Sequence, residues 1–204
     1  IAKISILPMN EAVTMQSLAA AVLKSGPKEF AIAGFSMGGY VALEVLRQAP
    51  ERVTRIALLD TSSRVDSQEK IESRNIAISD CEEGRFGYLL DRFVPQLLTP
   101  ENFKGSLGAR VRNMGERVGP KLFADRHRAM LTRVDSRKIL QNTDIPVRAI
   151  VGRNDALSSV EEHDEIAGLA PRGRLSLIED CAHMPPFETP QATTALLRDW
   201  LLYD

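Results

Sequence analysis

An α/β fold with a mostly parallel sheet flanked by helices is what this sequence predicts, and three observations carry it. Short apolar runs alternate with amphipathic helical patterns at both ends of the chain, as in parallel α/β sheets. One run, Phe30-Ala31-Ile32-Ala33, leads directly into Gly34-Phe35-Ser36-Met37-Gly38-Gly39 and then into a helical pattern ending at Gln48. Residues 64–142 break the alternation with helical patterns alone, which reads as an insertion seated over the sheet.

Taken in order, Ala2 to Leu7 (AKISIL), ended by Pro8, is an expected buried strand. Asn10 to Lys24 is an expected helix, with Val13, Met15, Leu18, Ala19, Val22 and Leu23 on one face and Gly26-Pro27 as its stop. Phe30 to Ala33 is the next strand, Tyr40 to Gln48 the next helix, and Val53 to Leu59 a strand that delivers Asp60-Thr61-Ser62 to the same sheet end as Ser36. The insertion then reads as five helices: Ser67 to Ile78, Gly84 to Leu98, Glu101 to Val118, Pro120 to Arg133 and Ser136 to Gln141. Strand character resumes at Pro146 to Val151, followed by Gly152-Arg153-Asn154-Asp155. A helix at Val160 to Leu169, a strand at Leu175 to Ile178, the loop holding His183 and a helix from Pro190 to Leu202 complete the chain. The domain division is therefore 1–63 with 143–204 as the α/β core and 64–142 as the insertion.

Composition excludes several classes of function. The chain has 204 residues, 44% hydrophobic and 26% charged, enough apolar material for a sizeable core. A net charge of −1 offers no basic excess for a phosphate backbone, so nucleic acid is not an expected partner. No run approaches a membrane-spanning length. Cys81 and Cys181 match no metal or redox spacing and read as reduced, packed thiols of a cytoplasmic protein. No His/Cys/Asp/Glu spacing suggests a metal, and no Gly-rich phosphate loop is present. The insertion carries eleven Arg and four Lys against eleven acids, which reads first as a solvated charged face and second as a greeting for an anionic substrate. Its Phe86, Tyr88, Leu89, Leu90 and Phe93 either roof a pocket or form the insertion's own core.

The chemistry points to the sharp turn. A serine at the apex of a strand-turn-helix takes strained backbone angles, with Gly34 and Gly38 expected to relieve side-chain clashes. Its hydroxyl is then exposed at the sheet end, beside backbone N–H groups at a helix N-terminus where an oxyanion is stabilised. The alternative is a Gly/Ser loop with Ser36 as a simple helix cap. A serine hydroxyl needs a base during attack, imidazole is suited to it, and a carboxylate on the far ring nitrogen fixes the tautomer. Serine at one strand end, aspartate at a later one and histidine after the last strand give the order Ser, Asp, His. Of the other histidines, His127 reads as a surface residue, and His163, in the acidic run Glu161 to Glu165, has no strand-end placement.

On GFSMGG at Gly34 to Gly39, LLDTS at Leu58 to Ser62, VGRNDAL at Val151 to Leu157 and AHMPPFETP at Ala182 to Pro190, nearly the whole chain resembles the α/β-hydrolase family. That resemblance implies Ser36 as nucleophile, Asp155 as acid, His183 as base and Met37 N–H as one oxyanion donor. It also implies residues 64–142 as a variable helical cap and matches the family habit of a glutamate five residues after the histidine, here Glu188. Asp60 competes with Asp155, because some members place the acid after that earlier strand; it is otherwise a site-wall or turn residue. Phe35, Asp60, Leu157 and Phe86 are the expected substrate-binding residues. The chain departs from the family in having Ala182 where Gly usually precedes the histidine. Family members also carry further strands and an oxyanion loop ahead of the position of Ile1, where a second donor is expected.

The implied activity is hydrolysis of a small carboxylic ester or lactone through an acyl-enzyme, with no cofactor. C–C bond hydrolysis, enol-lactone hydrolysis, acyl transfer and perhydrolysis share the same triad, and a non-catalytic ligand receptor is the alternative of a different class. The expected partner is a small-molecule substrate; a homodimer stays open.

Overall fold

Four strands lie side by side in their order along the chain, all parallel, in a computed structural model that describes residues 2–6 and 13–204. The elements are α1 (Met15–Ser25), β1 (Phe30–Phe35), α2 (Met37–Gln48), β2 (Val53–Leu59), α3 (Gln68–Glu82), α4 (Phe86–Leu97), α5 (Pro100–Lys104), α6 (Ser106–Leu131), α7 (Arg137–Gln141), β3 (Val147–Gly152), α8 (Val160–Leu169), β4 (Gly173–Ile178), α9 (Pro185–Glu188) and α10 (Pro190–Tyr203). A short 3-10 turn at Pro50–Arg52 leads into β2. Among the described residues, no helix is long and apolar enough to cross a membrane.

The two-residue period of the strands divides the core into two layers. Ile56 and Leu58 of β2, with Val147 and Ala149 of β3, pack toward α1, α2, α7 and α8. Ala57, Leu59 and Ile150 face the other way, onto Trp200 and its neighbours on α10. Burial on both faces explains why the central strands are nearly continuous apolar runs. β1 and β4 are the sheet's edges and are only partly buried.

Helix α1 begins at a reciprocal capping box between Thr14 and Ser17, five residues later than the expected start at Asn10. Val13 and Thr14 are not helical; residues 10–12 lie outside the described residues. The strand expected at Ala2 to Leu7 is absent over 2–6, and Leu7 lies outside the described residues. An isoleucine-rich run becomes a strand only where a neighbour pairs with it and a surface covers it. Here Ile4 and Ile6 are 82% and 92% exposed.

The regular elements between β2 and β3 are all helices, α3 to α7, with no strand. The expected helix from Glu101 to Val118 is split at Gly105, whose extended backbone ends α5 and starts α6. The expected break before Pro120 is a kink inside α6, where Gly119 takes φ 76°. Many charges of this block pair with one another near its surface, Arg85 with Asp80, Arg112 with Asp91, Arg128 with Asp125 and Lys121 with Asp125. Arg64 and Lys70 reach Glu165 and Glu162 of α8, and Arg74 and Arg133 meet Asp66 inside the block. The surface pairs are the solvated charged face expected of it; the buried pairs of Asp66 with Arg133 and Arg74 depart from that expectation. His127 corrects its reading as a surface residue. It is 8% exposed, stacks on Phe123 at 4.4 Å between ring centroids, and its Nδ1 meets the Phe123 carbonyl.

Candidate active site

Sheet pairing continues past the strand ends, and this assembles the site. Ser36 N–H donates to the Leu59 carbonyl at 2.8 Å, Asp60 N–H to Ile150 at 2.9 Å and Arg153 N–H to Ile178 at 2.9 Å. Loops that follow β1, β2 and β3 therefore leave the sheet side by side, at the carboxyl ends where α/β sheets place their chemistry.

Ser36 has φ 51°, the left-handed region that costs a side-chain-bearing residue energy and persists only where its surroundings enforce it. Two glycines enforce it. A Cβ on Gly34 would come within 2.6 Å of the Gly38 backbone, and one on Gly39 within 2.6 Å of the Thr61 side chain. Gly38 faces open space, so Gly34 and Gly39 are the clash-relieving pair, not Gly34 and Gly38. Thr61 completes the frame: its hydroxyl donates to the Ser36 carbonyl at 2.9 Å. Ser36 Oγ caps no helical N–H, which removes the helix-cap alternative.

That hydroxyl instead lies 2.9 Å from His183 Nε2, and His183 Nδ1 lies 2.9 and 3.0 Å from the two Asp155 carboxylate oxygens. The partners decide the tautomer. An ionised carboxylate only accepts, so Nδ1–H donates to Asp155 and Nε2 is left to accept from Ser36. Asp155 is buried, and burial alone would raise its pKa. Hydrogen bonds from His183, the Ser158 hydroxyl at 2.6 Å and the Leu157 N–H at 2.8 Å outweigh that and hold it below the usual carboxylate value. Phe35 lies against the imidazole, ring centroids 5.5 Å apart. Met37 is the first residue of α2, so its N–H has no acceptor within the helix and is free to serve an oxyanion.

Asp60 is the bend residue that follows β2, as the turn reading has it, and lies under the site rather than in its wall. It is 1% exposed, has φ 45° and accepts the Gly152 N–H at 3.0 Å through Oδ1, while Oδ2 has no partner. One atom from each of Asp60, Asp155 and His183 fits within a 4.8 Å span. Asp155 and His183 are already committed to each other and to Ser36. Two buried carboxylates so close do not both ionise, and Asp60 is the one that keeps its proton. Burial pushes its pKa up to about 9, with the Gly152 N–H opposing and Asp155 adding to the rise.

Phe35 and Leu157, both expected at the site, join Met184, Phe187 and the helical block's Val94, Leu97, Leu98 and Val111 in one apolar cluster. Phe86 does not. It packs with Ala77, Cys81, Leu89, Ala124 and Phe123 inside the block, because the helical face that carries it turns toward α3 and α6. Phe93, by contrast, touches the cluster that holds Phe35 and Leu157.

Supporting residues with no motif of their own also emerge. His163 is fully buried: its Nδ1–H donates to the Ser159 carbonyl at 2.8 Å and its Nε2 accepts the Thr61 N–H at 3.0 Å. Burial, against the hydrogen bond to Ser159, holds its pKa below the ordinary value, as the neutral tautomer requires. The one sequence signal is its spacing three residues before the core residue Ile166. Cys81 and Cys181 are free and buried; burial pushes the Cys181 thiol up to about 12, an inert form.

With this geometry, comparison with known proteins is decisive for the family. The model of the alpha/beta hydrolase fold matches residues 9–190. The chain belongs to the α/β-hydrolase fold family. It is similar to the pimeloyl-[acyl-carrier protein] methyl ester esterase of Aromatoleum aromaticum, 26% identical over 204 residues that cover 91% of this chain and 79% of that protein. Among solved structures it is similar to a thermophilic esterase from Thermogutta terrifontis, with 28% identity and a TM-score of 0.83 over 96% of this chain and 74% of that one. The enol-lactonase from Burkholderia xenovorans LB400 shares the fold, with 22% identity and a TM-score of 0.79 over 92% and 73% of the two chains. Within this α/β hydrolase, Ser36 occupies the turn between β1 and α2, and the carboxylate and imidazole come from the loops after β3 and β4.

Proposed function

We propose that this α/β hydrolase cleaves small carboxylic esters through an acyl-enzyme on Ser36. The observation that carries the reading is the imidazole of His183 bridging Ser36 Oγ and the Asp155 carboxylate, both at 2.9 Å. As Ser36 Oγ attacks the ester carbonyl, His183 Nε2 takes its proton, and Asp155 stabilises the imidazolium that forms. The carbonyl oxygen becomes an oxyanion and is met by the Met37 N–H. Collapse expels the alcohol, which receives the proton from His183. Water then attacks the acyl-enzyme with His183 as base, releasing the acid and restoring Ser36. Every proton passes through one imidazole, and the route calls on no cofactor.

The names of the relatives support an ester of a small alcohol, since the Aromatoleum protein and its counterpart in Nitrosomonas europaea are both methyl ester esterases. The apolar cluster of Phe35, Leu157 and the facing residues of α4 and α6 suits an acyl chain better than a charged one. Release of p-nitrophenol from short acyl esters tests the reading. Wild-type turnover that disappears in Ser36→Ala is the expected result; turnover that persists in that variant refutes Ser36 as nucleophile.

A further inference from the structure

Glu188 ends α9, five residues after His183, and its carboxylate takes donors from two separate parts of the molecule. Oε1 accepts the backbone N–H groups of Ala182 at 2.9 Å and Met184 at 3.3 Å, the residues on either side of His183. Oε2 accepts the backbone N–H of Thr99 at 2.7 Å and the side-chain amide of Asn102 at 3.0 Å. Thr99 and Asn102 belong to the helical block, where Thr99 caps α5 and accepts the Asn102 N–H through its own hydroxyl. The Cys181 thiol also points at Oε1, at 3.8 Å. Hydrogen bonds to a carboxylate are stronger than those to a neutral acceptor, and the four N–H donors are distributed here as two pairs.

We propose that Glu188 is a positioning residue that clasps the helical block to the His183 loop. The inference rests on the assignment of His183 as the base of an ester hydrolase. One oxygen holds the backbone on both sides of the imidazole, and the other holds the start of α5. A shift of the α4–α5 corner therefore reaches the histidine through a single rigid carboxylate. The same corner supplies Val94, Leu97 and Leu98 to the apolar cluster beside Phe35 and Leu157, so whatever fills that surface bears on the clasp as well. Glu188 touches no reacting atom; it acts through the main chain of residues 182–184.

The test uses Glu188→Gln and Asn102→Ala in the full chain, read by backbone amide hydrogen exchange and by the His183 Nδ1–H proton resonance. Glutamine has one acceptor oxygen and turns an N–H₂ toward donors, so it breaks one half of the clasp. Exchange at Ala182, Met184 and Thr99 is expected to rise on the order of tenfold, with β3 and α2 at wild-type protection, and the His183 resonance to move. Asn102→Ala removes a donor from the block side only and leaves Glu188 in place. It is expected to raise exchange at Ala182 and Met184 by a smaller factor and to displace the same resonance. A lowered Tm with an unmoved His183 resonance in Glu188→Gln would overturn the positioning role. Unchanged exchange at Ala182 and Met184 in Asn102→Ala would overturn the coupling. Neither readout needs turnover, so an inactive wild type would count against the esterase reading alone and leave the clasp to be decided by exchange.

Discussion

Strand ends and helical block carry backbone strain differently. Among the described residues, the three non-glycine residues with positive φ are Ser36, Asp60 and Asp180, and each follows the carboxyl end of a strand: β1, β2 and β4. In the block, positive φ falls on Gly84 and Gly119, where it is nearly free of cost. Strain tolerated at one corner of the sheet and avoided elsewhere is what a site held in a fixed geometry requires. The two regions also bury charge differently. At the corner two carboxylates, Asp60 and Asp155, share one imidazole, His183, whereas in the block the buried carboxylate of Asp66 is met by two guanidiniums, Arg74 and Arg133.

The sharpest way to break this contrast is at the corner's chemistry. Ser36→Ala and His183→Ala are each expected to lower ester turnover by roughly 10⁴-fold or more. Ser36→Ala is expected to leave urea unfolding near wild type, whereas His183→Ala also lowers stability because it leaves the buried Asp155 carboxylate without its imidazole. Next in size is a pair of glycine substitutions. Gly39→Ala forces a methyl into the Thr61 side chain and is expected to cost about 1–3 kcal/mol in urea denaturation, with loss of activity. Gly38→Ala meets open space and is expected to fold with near wild-type stability.

Two pH experiments sharpen the comparison with effects of opposite sign. Asp60 has its pKa raised to about 9 in the folded chain, against about 4 unfolded. The folded state holds the extra proton between those values, so stability is lost as pH rises through that window. Asp60→Asn keeps an acceptor for the Gly152 N–H and is expected to flatten that fall in a Tm-versus-pH series. His127 is the converse: burial, partly opposed by its bond to the Phe123 carbonyl, lowers its pKa to about 4. The unfolded state binds the proton first, so stability is lost as pH falls from about 6.5 toward 4. His127→Gln is expected to remove that acid-side loss and leave the alkaline side unchanged.

The corner was far more legible in the sequence than the block, for a physical reason. β2 and β3 are buried on both faces and so are written as apolar runs, and Ser36, Asp155 and His183 lie in the loops that follow strands. The reading failed where one region depends on another. Ala2 to Leu7 has the residue types of a strand, but over 2–6 it has no partner. Gly38 and Gly39 look alike in sequence, and the approach of Thr61 is what separates them. His127 and Phe86 have no periodic signal that says which neighbouring helix covers them. Glu188 stood in a recognised motif, yet its bonds to Thr99 and Asn102 span 89 and 86 residues, beyond the reach of any local pattern.

The central claim is that His183, oriented by Asp155, makes Ser36 the reactive hydroxyl of this chain. Peptide mass spectrometry after treatment with a fluorophosphonate measures that reactivity directly. The account predicts one adduct, on the peptide holding Ser36, abolished in His183→Ala and strongly slowed in Asp155→Asn. An unlabelled Ser36, or labelling that is indifferent to the imidazole at position 183, would contradict it.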